Sequence, residues 1–323
     1  MNTGLSVLDL CAVVEGSTIP EAYARTVDTA RTAEASGYDR FWLAEHHSMP
    51  GVASAATAVV IGHVAAHTST LRVGAGGIML PNHPPLVVAE QFGTLDALFP
   101  GRIDLGLGRA PGTDGPTATA LRHRPAGPNE YPREVAELLG YFEPERPGQV
   151  VIAVPGAGSR VPVWILGSSL FSAQLAAAMG LPYAFAAHFA PAHLMTALAA
   201  YHQLFRPSAR CERPHTMVAV NAIAAETEDE AQFLATTQAR TFLDLRRGGR
   251  PIGRPPTRDL QLTPDERMML DHVLSCSFVG TPHQVRAGLA DLRKQTAADE
   301  LMVVCSVYDH ALRQRSLRWT ADA

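Results

Sequence analysis

The stretch that decides the fold reads Tyr38-Asp39-Arg40-Phe41-Trp42-Leu43-Ala44-Glu45-His46-His47. Its apolar part, residues 40–44, is short, carries two aromatic side chains and follows a glycine, which is typical of a buried strand. Three polar side chains come directly after it. Because ligands and catalytic groups lie at the carboxyl ends of strands in parallel α/β proteins, this stretch predicts a parallel sheet with a functional site at that edge.

The rest of the chain repeats a strand followed by a helix. Apolar runs predict strands at residues 5–10, 40–44, 71–75, 102–107, 161–166, 183–187, 216–222 and 301–304. Helical patterns stand between them, and Thr18, Thr263 and Thr281 each open one as a capping residue with proline close behind. These units indicate an α/β protein with a (β/α)8 TIM barrel, rather than an open doubly wound sheet, in which residues 1–323 form a single domain.

Two segments, residues 111–128 and 246–263, interrupt the alternation. Both are rich in glycine, proline and arginine, and both are too long for ordinary connections. They are predicted to be insertions at the carboxyl-terminal face of the barrel, either active-site lids or disordered loops.

Composition narrows the class of protein. With 46% hydrophobic and 18% charged residues and a net charge of −4, the chain has the balance of a globular protein and no basic patch for nucleic acid. No apolar run is long enough for a membrane span and no signal segment is visible, so we expect a cytoplasmic protein. The four cysteines are far apart in the sequence and indicate neither a disulfide framework nor a zinc motif.

The candidate site residues fall just past the carboxyl ends of successive strands. In chain order they are Asp9, His46, Gly76, Gly77, Arg109, Ser168, Ser169 and His188. One face of a barrel would collect all of them, and in this fold that face is the active site.

Arg109 and the pair Ser168 and Ser169 indicate an anion site. The N–H groups at the start of the helix at Ser169 would hold a phosphate, and the Arg109 guanidinium would add charge. Taken singly, the arginine could instead form a surface ion pair and a serine could simply cap the helix. Residues 106–109 do not make a dinucleotide fingerprint, because no helix can follow through the prolines and glycines of 111–116.

Histidine and glutamate side chains are common metal ligands, so a metal site has to be considered. Glu45, His46 and His47 are consecutive and are not expected to converge on one ion, so no metal site is predicted. His46, at a strand end beside a glutamate, could act as a catalytic acid or base, or it could be a structural histidine of the barrel rim.

Several motifs along the chain, taken together, resemble those of a known family. The motifs are residues 37–47, 73–85, Glu90, 95–96, 101–109, 162–169 and 280–282, in order and at family spacing over nearly the whole chain. They are similar to the bacterial-luciferase-like flavin monooxygenases, and in particular to the single-chain branch that includes antibiotic-tailoring oxygenases.

The resemblance implies an oxidoreductase that binds reduced FMN, adds O₂ to the flavin C4a position and uses the resulting (hydro)peroxyflavin on an organic substrate. It implies that His46 is the catalytic acid or base and that Arg109 and Ser169 grip the FMN phosphate. A cis peptide between Gly76 and Gly77 is implied beneath the flavin ring. Glu90, Ser168 and His188 complete the expected cofactor-binding set.

The resemblance also implies partners, and the sequence departs from luciferase itself. Gly108 and Ser168 stand where luciferase has a cysteine and an acidic residue, so light emission is not expected. We expect a separate NAD(P)H:flavin reductase to supply FMNH₂, a homodimer formed through residues 53–99, and a bulky substrate such as an aromatic polyketide. The alternatives are a deazaflavin (F420)-dependent dehydrogenase on the same barrel and a flavin-binding protein without catalysis.

Overall fold

In the computed structural model, which describes residues 4–110, 114–122 and 129–321, nine parallel strands form one sheet. They are β1 (Leu5–Asp9), β2 (Arg40–Leu43), β3 (Arg72–Met79), β4 (Ile103–Gly108), β5 (Val163–Gly167), β6 (Tyr183–Ala186), β7 (Thr216–Ala224), β8 (Ser277–Gly280) and β9 (Glu300–Val304). The order is β6-β5-β4-β3-β2-β1-β9-β7-β8, and β6 also pairs with β7. Every strand except β8 therefore belongs to a closed barrel of eight, which confirms the predicted TIM barrel.

Helices follow the strands on the outside of the barrel. The described part contains α1 (Ile19–Ala35), α2 (Thr57–Ala66), α3 (Pro85–Leu98), α4 (Gly115–Ala120), α5 (Glu130–Tyr141), α6 (Leu170–Met179), α7 (Leu194–Leu204), α8 (Glu228–Arg246), α9 (Pro264–Val273), α10 (Pro282–Thr296) and α11 (His310–Ala321). Capping boxes at Thr18, Thr263 and Thr281 confirm three predicted helix starts. None of the helices within the described ranges combines the length and the apolar character needed to cross a membrane.

β8 is the strand that the sequence did not indicate. It has four residues and pairs with β7 over Asn221–Ala224, beyond the stretch of β7 that pairs with β6. Its first three residues are only partly buried, so it lacks the continuous apolar pattern of the barrel strands. It lengthens one wall at the carboxyl end of the barrel.

Side chains alternate between two cores, one inside the barrel and one between the strands and helices. On β2, Trp42 points inward, whereas Phe41 and Leu43 pack outward against the helices. The inner core holds Leu8, Trp42, Ala44, Trp164, Ala184, Met217, Ala219, Met302 and Val304. The barrel is filled by side chains, so its open end is the place left for a ligand.

The amino end of the barrel is closed by buried ion pairs. Asp104 is fully buried and accepts hydrogen bonds from Arg40 at 2.7 Å, from Arg72 at 2.5 Å and from the Trp42 indole at 3.1 Å. Glu300 accepts from Arg40 at 2.8 Å, so Arg40 joins the two carboxylates across the barrel. Each of these charges has a partner of opposite sign, which offsets the cost of taking it out of water.

The pairing of Glu300 gives a pH-dependent prediction. Burial would raise its pKa, but hydrogen bonds from His215 and Arg40 and the charge of Arg40 outweigh burial and lower the pKa to about 2. The stabilisation is complete above the ordinary glutamate pKa of about 4.3 and is lost as the pH falls through the folded-state pKa. Glu300→Gln removes this titration. As the pH falls from about 4.3 to about 2, the unfolding free energy of wild type should decrease by roughly 3 kcal/mol more than that of the variant.

Denaturant unfolding at a series of acidic pH values measures this difference. The control is Glu145→Gln, at an exposed glutamate, which should keep the acid slope of the wild type. Equal slopes for wild type and Glu300→Gln would contradict the prediction.

The structure describes part of the first predicted insertion and all of the second. Residues 114–122 contain the short helix α4, and the remainder of 111–128 lies outside the described residues. Residues 247–263 are irregular but packed. The Glu15 N–H donates to the Gly253 carbonyl at 2.7 Å, and Arg254 pairs with Asp244. The second segment is therefore folded onto the loop that follows β1.

Candidate active site

The carboxyl end of the barrel brings His46 and His188 together. His46 follows β2 and His188 follows β6, and the two rings are close enough for the charge of one to affect the other. Burial and the neighbouring His46 lower the pKa of His188 to about 4, so its imidazole is neutral at pH 7. Its Nδ1 atom is buried and has no hydrogen-bond partner among the described residues. A bound molecule could supply that partner.

The segment that carries His188 is held in place from β7. The Asn221 side chain donates to the His188 carbonyl at 2.7 Å and to the Ser277 hydroxyl at 3.0 Å. Its own oxygen accepts from Gln238 of α8 at 2.5 Å. Neither Asn221 nor Gln238 is among the residues predicted from the sequence. A lone asparagine inside an otherwise apolar strand was the available signal, since a buried amide must find partners.

Glu45, next to His46, is only 1% exposed. It anchors the loops around the open carboxyl end of the barrel, which we call the mouth. Its Oε2 accepts from the Met79 N–H at 2.9 Å. Its Oε1 is approached by Nε2 of His47 at 2.6 Å, Nε2 of His83 at 2.9 Å and Nδ2 of Asn82 at 3.2 Å. Although burial would raise the pKa of Glu45, the hydrogen bonds, that from His83 first, hold it below its ordinary value. The carboxylate ties the segment after β2 to the segment after β3.

Gly76 and Gly77 form a stretch of β3 without side chains. A Cβ at Gly76 would lie 2.7 Å from Cδ1 of Leu8, and one at Gly77 would lie 2.6 Å from the Gly106 carbonyl oxygen. Both distances are shorter than real Cβ contacts. At Gly77 the obstacle is backbone, so only glycine fits there, whereas a side chain at Gly76 would require Leu8 to move. The Gly76–Gly77 peptide bond is cis, as the family resemblance implies.

Arg109 lies beside the amino end of α6. It follows β4, and its guanidinium stacks 4.4 Å from the ring centroid of Phe171, in the first turn of α6. Ser169 is the N-cap of this helix and its hydroxyl accepts from the Ser172 N–H. The first N–H groups of a helix have no intrahelical partner, so the arginine and the helix terminus together suit a phosphate. Ser168 precedes the cap and is partly buried.

Two of the predicted residues stand apart from this group. Asp9 pairs with Arg313 at 2.7 Å and accepts from Thr26, which belong to α11 and α1 on the outside of the barrel. Its placement with the mouth residues is therefore wrong, because the last residue of β1 points outward. Glu90 lies in the second turn of α3, where its carbonyl accepts from Thr94. Its role in cofactor binding stays a prediction.

The arrangement can hold a flat, phosphorylated cofactor. Arg109 and the α6 terminus offer charge and N–H donors, and the glycines of β3 leave a surface without side chains. The unpartnered Nδ1 of His188 offers one further polar contact. These features suit a phosphorylated flavin.

The matches to known proteins agree on one family. The model of the luciferase-like monooxygenase family matches residues 5–300. A luciferase-like monooxygenase of Escherichia coli (strain K12) is 51% identical over 320 residues, which is 98% of this chain and 96% of that protein.

Solved structures show the same relationship. The protein in the crystal structure of apo-MsnO8 is 34% identical in sequence, and the two structures superpose with a TM-score of 0.88. The match covers 98% of this chain and 97% of the MsnO8 chain. The oxygenating constituent of 3,6-diketocamphane monooxygenase from Pseudomonas putida, in complex with FMN, is 18% identical with a TM-score of 0.75 and shows the same fold over 98% of this chain and 96% of its own. The chain therefore belongs to the luciferase-like monooxygenase family and is a flavin-dependent monooxygenase.

Proposed function

We propose that this protein uses FMNH₂ and O₂ to place one oxygen atom into an organic substrate. The observation that carries the proposal is the match of residues 5–300 to the luciferase-like monooxygenase family. The position of Arg109 at the amino end of α6, on the same face as His46 and His188, supports a phosphorylated cofactor at this place. Bound reduced flavin would supply the electrons that activate O₂.

Each residue of the site has a proposed task. Arg109, Ser169 and the N–H groups at the start of α6 bind the phosphate. Gly76 and Gly77 admit the ring. His46 gives or takes a proton at the reacting centre, and His188, neutral at pH 7, adds a polar contact without adding charge. Ser168 and Glu90 complete the proposed set for cofactor binding.

The proposed substrate is a bulky organic molecule, such as an aromatic polyketide in antibiotic biosynthesis. Residues 251–253 pack against Gly51, just beyond the segment of His46, and against Val14 in the loop after β1. Phe189 is 48% exposed next to His188. We therefore propose that Phe189 and this irregular segment contact a large, mostly apolar substrate.

We propose a separate NAD(P)H:flavin reductase as the source of FMNH₂, with both proteins in the cytoplasm. The sequence shows neither a redox cysteine motif nor a nicotinamide-binding motif, and for this reason we place the reduction of FMN on a second protein. Gly108 and Ser168, which depart from the luciferase pattern, support oxygenation without light.

Rapid mixing tests the cofactor. The protein is mixed anaerobically with chemically reduced FMN and then with oxygenated buffer, and the return of oxidised-flavin absorbance is followed. Reoxidation that differs in rate from free FMNH₂, together with an oxygenated product from a panel of thioethers, ketones and phenols, is expected. Reoxidation at the free-solution rate with no product would contradict the proposal.

A deazaflavin-dependent dehydrogenase is the second candidate. The anion site of Arg109 and α6 would hold the phosphate of either cofactor, so this observation does not favour one over the other. Reduction of the deazaflavin by a secondary alcohol, at a rate that O₂ does not change, would favour the dehydrogenase. FMN affinity with no turnover of either kind, unchanged in His46→Ala, would favour a non-catalytic binding protein.

We also propose a homodimer formed through α2 and α3. These adjacent helices expose apolar side chains, with Val59 73% and Leu98 65% exposed. Burial of such side chains against a second copy would remove apolar area from water. In sedimentation, wild type should show twice the 34.6 kDa chain mass. The double variant Val59→Arg, Leu98→Arg should be a monomer, because charges at a buried interface are unfavourable.

The control for the dimer is Met268→Arg on α9, at another exposed apolar side chain. It should sediment like wild type. A single-chain mass for wild type at micromolar concentration would contradict the dimer, and so would a dimeric double variant.

A further inference from the structure

One oxygen of a buried carboxylate is crowded. Three side-chain nitrogens approach Oε1 of Glu45, from His47 at 2.6 Å, His83 at 2.9 Å and Asn82 at 3.2 Å. A carboxylate oxygen has two lone pairs, so three donors exceed what it can accept with good geometry. Convergence of this kind suits a cation that is bound by the imidazoles and the carboxylate together.

The donor set is that of a transition-metal site. Nε2 of His47, Oε1 of Glu45 and Nε2 of His83 all lie within 4.8 Å of one another. Two histidines and one glutamate are the protein ligands of several catalytic zinc sites, which keep a fourth position open. Ligands about 2.0–2.2 Å from a tetrahedral Zn²⁺ are about 3.3–3.6 Å apart. The His47–Glu45 distance of 2.6 Å must therefore open by about 0.7–1.0 Å, and the His83–Glu45 distance of 2.9 Å by about 0.4–0.7 Å.

We propose that Glu45, His47 and His83 bind one divalent transition-metal ion, and Zn²⁺ is the probe for it because two histidines and one carboxylate are a known zinc ligand set. The imidazoles are 16% and 27% exposed, so an ion can enter from solvent and keep a water as its fourth ligand. The Met79 N–H, at 2.9 Å from Oε2, holds the carboxylate in orientation, as partners of metal ligands commonly do.

The expectation from the sequence that no metal binds here rested on three consecutive residues. Adjacent side chains of an extended segment point to opposite sides, which separates His46 from its neighbours. Glu45 and His47 are two apart and share a side, and the third ligand, His83, comes from the segment after β3. His46 is left to face His188, so the metal and the proposed catalytic histidine use different side chains of one short stretch.

The ion would link the segment after β2 to the segment after β3. The first of these carries His46, and the second follows the glycines of β3. A ligand that binds only the folded protein stabilises it, so Zn²⁺ should raise the melting temperature. This inference does not depend on the flavin, and its test needs no cofactor.

The test is a Zn²⁺ titration of the full-length protein after treatment with a chelator, in competition with a chromophoric zinc chelator. Wild type should bind one ion per chain, and His83→Gln should bind at least about 100-fold more weakly, because a ligand is lost. Glutamine keeps an N–H donor for Glu45, so the hydrogen bond can survive without the metal ligand. His47→Gln should behave in the same way. His63→Ala, at an exposed histidine of α2, is the control and should bind like wild type.

Cobalt provides a second measurement. Co²⁺ in wild type should show the visible absorption of a tetrahedral site with nitrogen and oxygen ligands, and this absorption should be absent in His83→Gln. Loss of Zn²⁺ binding in both glutamine variants, with retention in the control, would support the site. Unchanged Zn²⁺ affinity in His83→Gln, or wild-type binding that is lost in His63→Ala, would overturn it.

Discussion

Replacement of His46 by alanine is expected to slow formation of oxygenated product by about 10²- to 10⁴-fold, the range typical for loss of a general acid or base. FMN affinity should not change, because the proposed phosphate ligands lie on the β4 and β5 side of the mouth. Reduced flavin would still react with O₂ in the variant, so consumption of O₂ should continue while hydrogen peroxide replaces product. The measurement is the ratio of product to peroxide in single-turnover mixing with any substrate that wild type oxygenates.

The control for this prediction is His272→Ala. His272 is an exposed histidine on α9, away from the proposed site and dimer interface, and its replacement should leave both product and peroxide at wild-type levels. Far-ultraviolet circular dichroism and the melting temperature of His46→Ala separate a catalytic effect from unfolding. A folded His46→Ala protein with wild-type product yield would show that His46 is a structural histidine of the rim.

The neutral state of His188 helps to show which of the two histidines transfers the proton. Because the pKa of His188 is lowered to about 4, it carries no positive charge at pH 7. Proton transfer near neutral pH therefore does not involve a charged His188. The His188 backbone is held in place by the Asn221 side chain, which donates to the His188 carbonyl at 2.7 Å. A pH profile of product formation that is lost in His46→Ala but kept in His188→Gln would assign the proton to His46.

The barrel could be predicted from the sequence because its signals are local. Continuous apolar runs mark strands such as β9, and threonine with a nearby proline marks helix starts such as that of α10, so each element is visible within a few residues. The resemblance to a family added the cis bond at Gly76–Gly77, which spacing alone does not reveal.

Contacts between distant residues could not be predicted in the same way. Arg40 and Glu300 are 260 residues apart in the chain, and nothing in either local pattern indicates that they pair. The same limit applies to His83 beside Glu45 and to Asn221 beside His188. Asp9 was misplaced because the position of a residue at a strand end does not tell which side of the barrel wall it faces.

Replacement of Arg109 by alanine gives the sharpest test of the anion site. FMN and riboflavin differ by the phosphate alone, so a phosphate ligand should distinguish them. Loss of a charge-assisted bidentate contact removes about 1.5–3 kcal/mol, and Arg109→Ala should therefore weaken FMN binding by roughly 10- to 150-fold. Riboflavin binding should be unchanged, and quenching of flavin fluorescence measures both ligands.

Arg109→Lys and Arg267→Ala complete the series. Lysine keeps the charge but not the planar fork, so it should give an intermediate FMN affinity. Arg267 is an exposed arginine of α9, and its replacement should change neither affinity. Equal losses for FMN and riboflavin in Arg109→Ala would mean that the arginine supports the mouth through its stacking on Phe171, 4.4 Å away, rather than by binding phosphate. An unchanged FMN affinity would show that the phosphate does not bind at the amino end of α6.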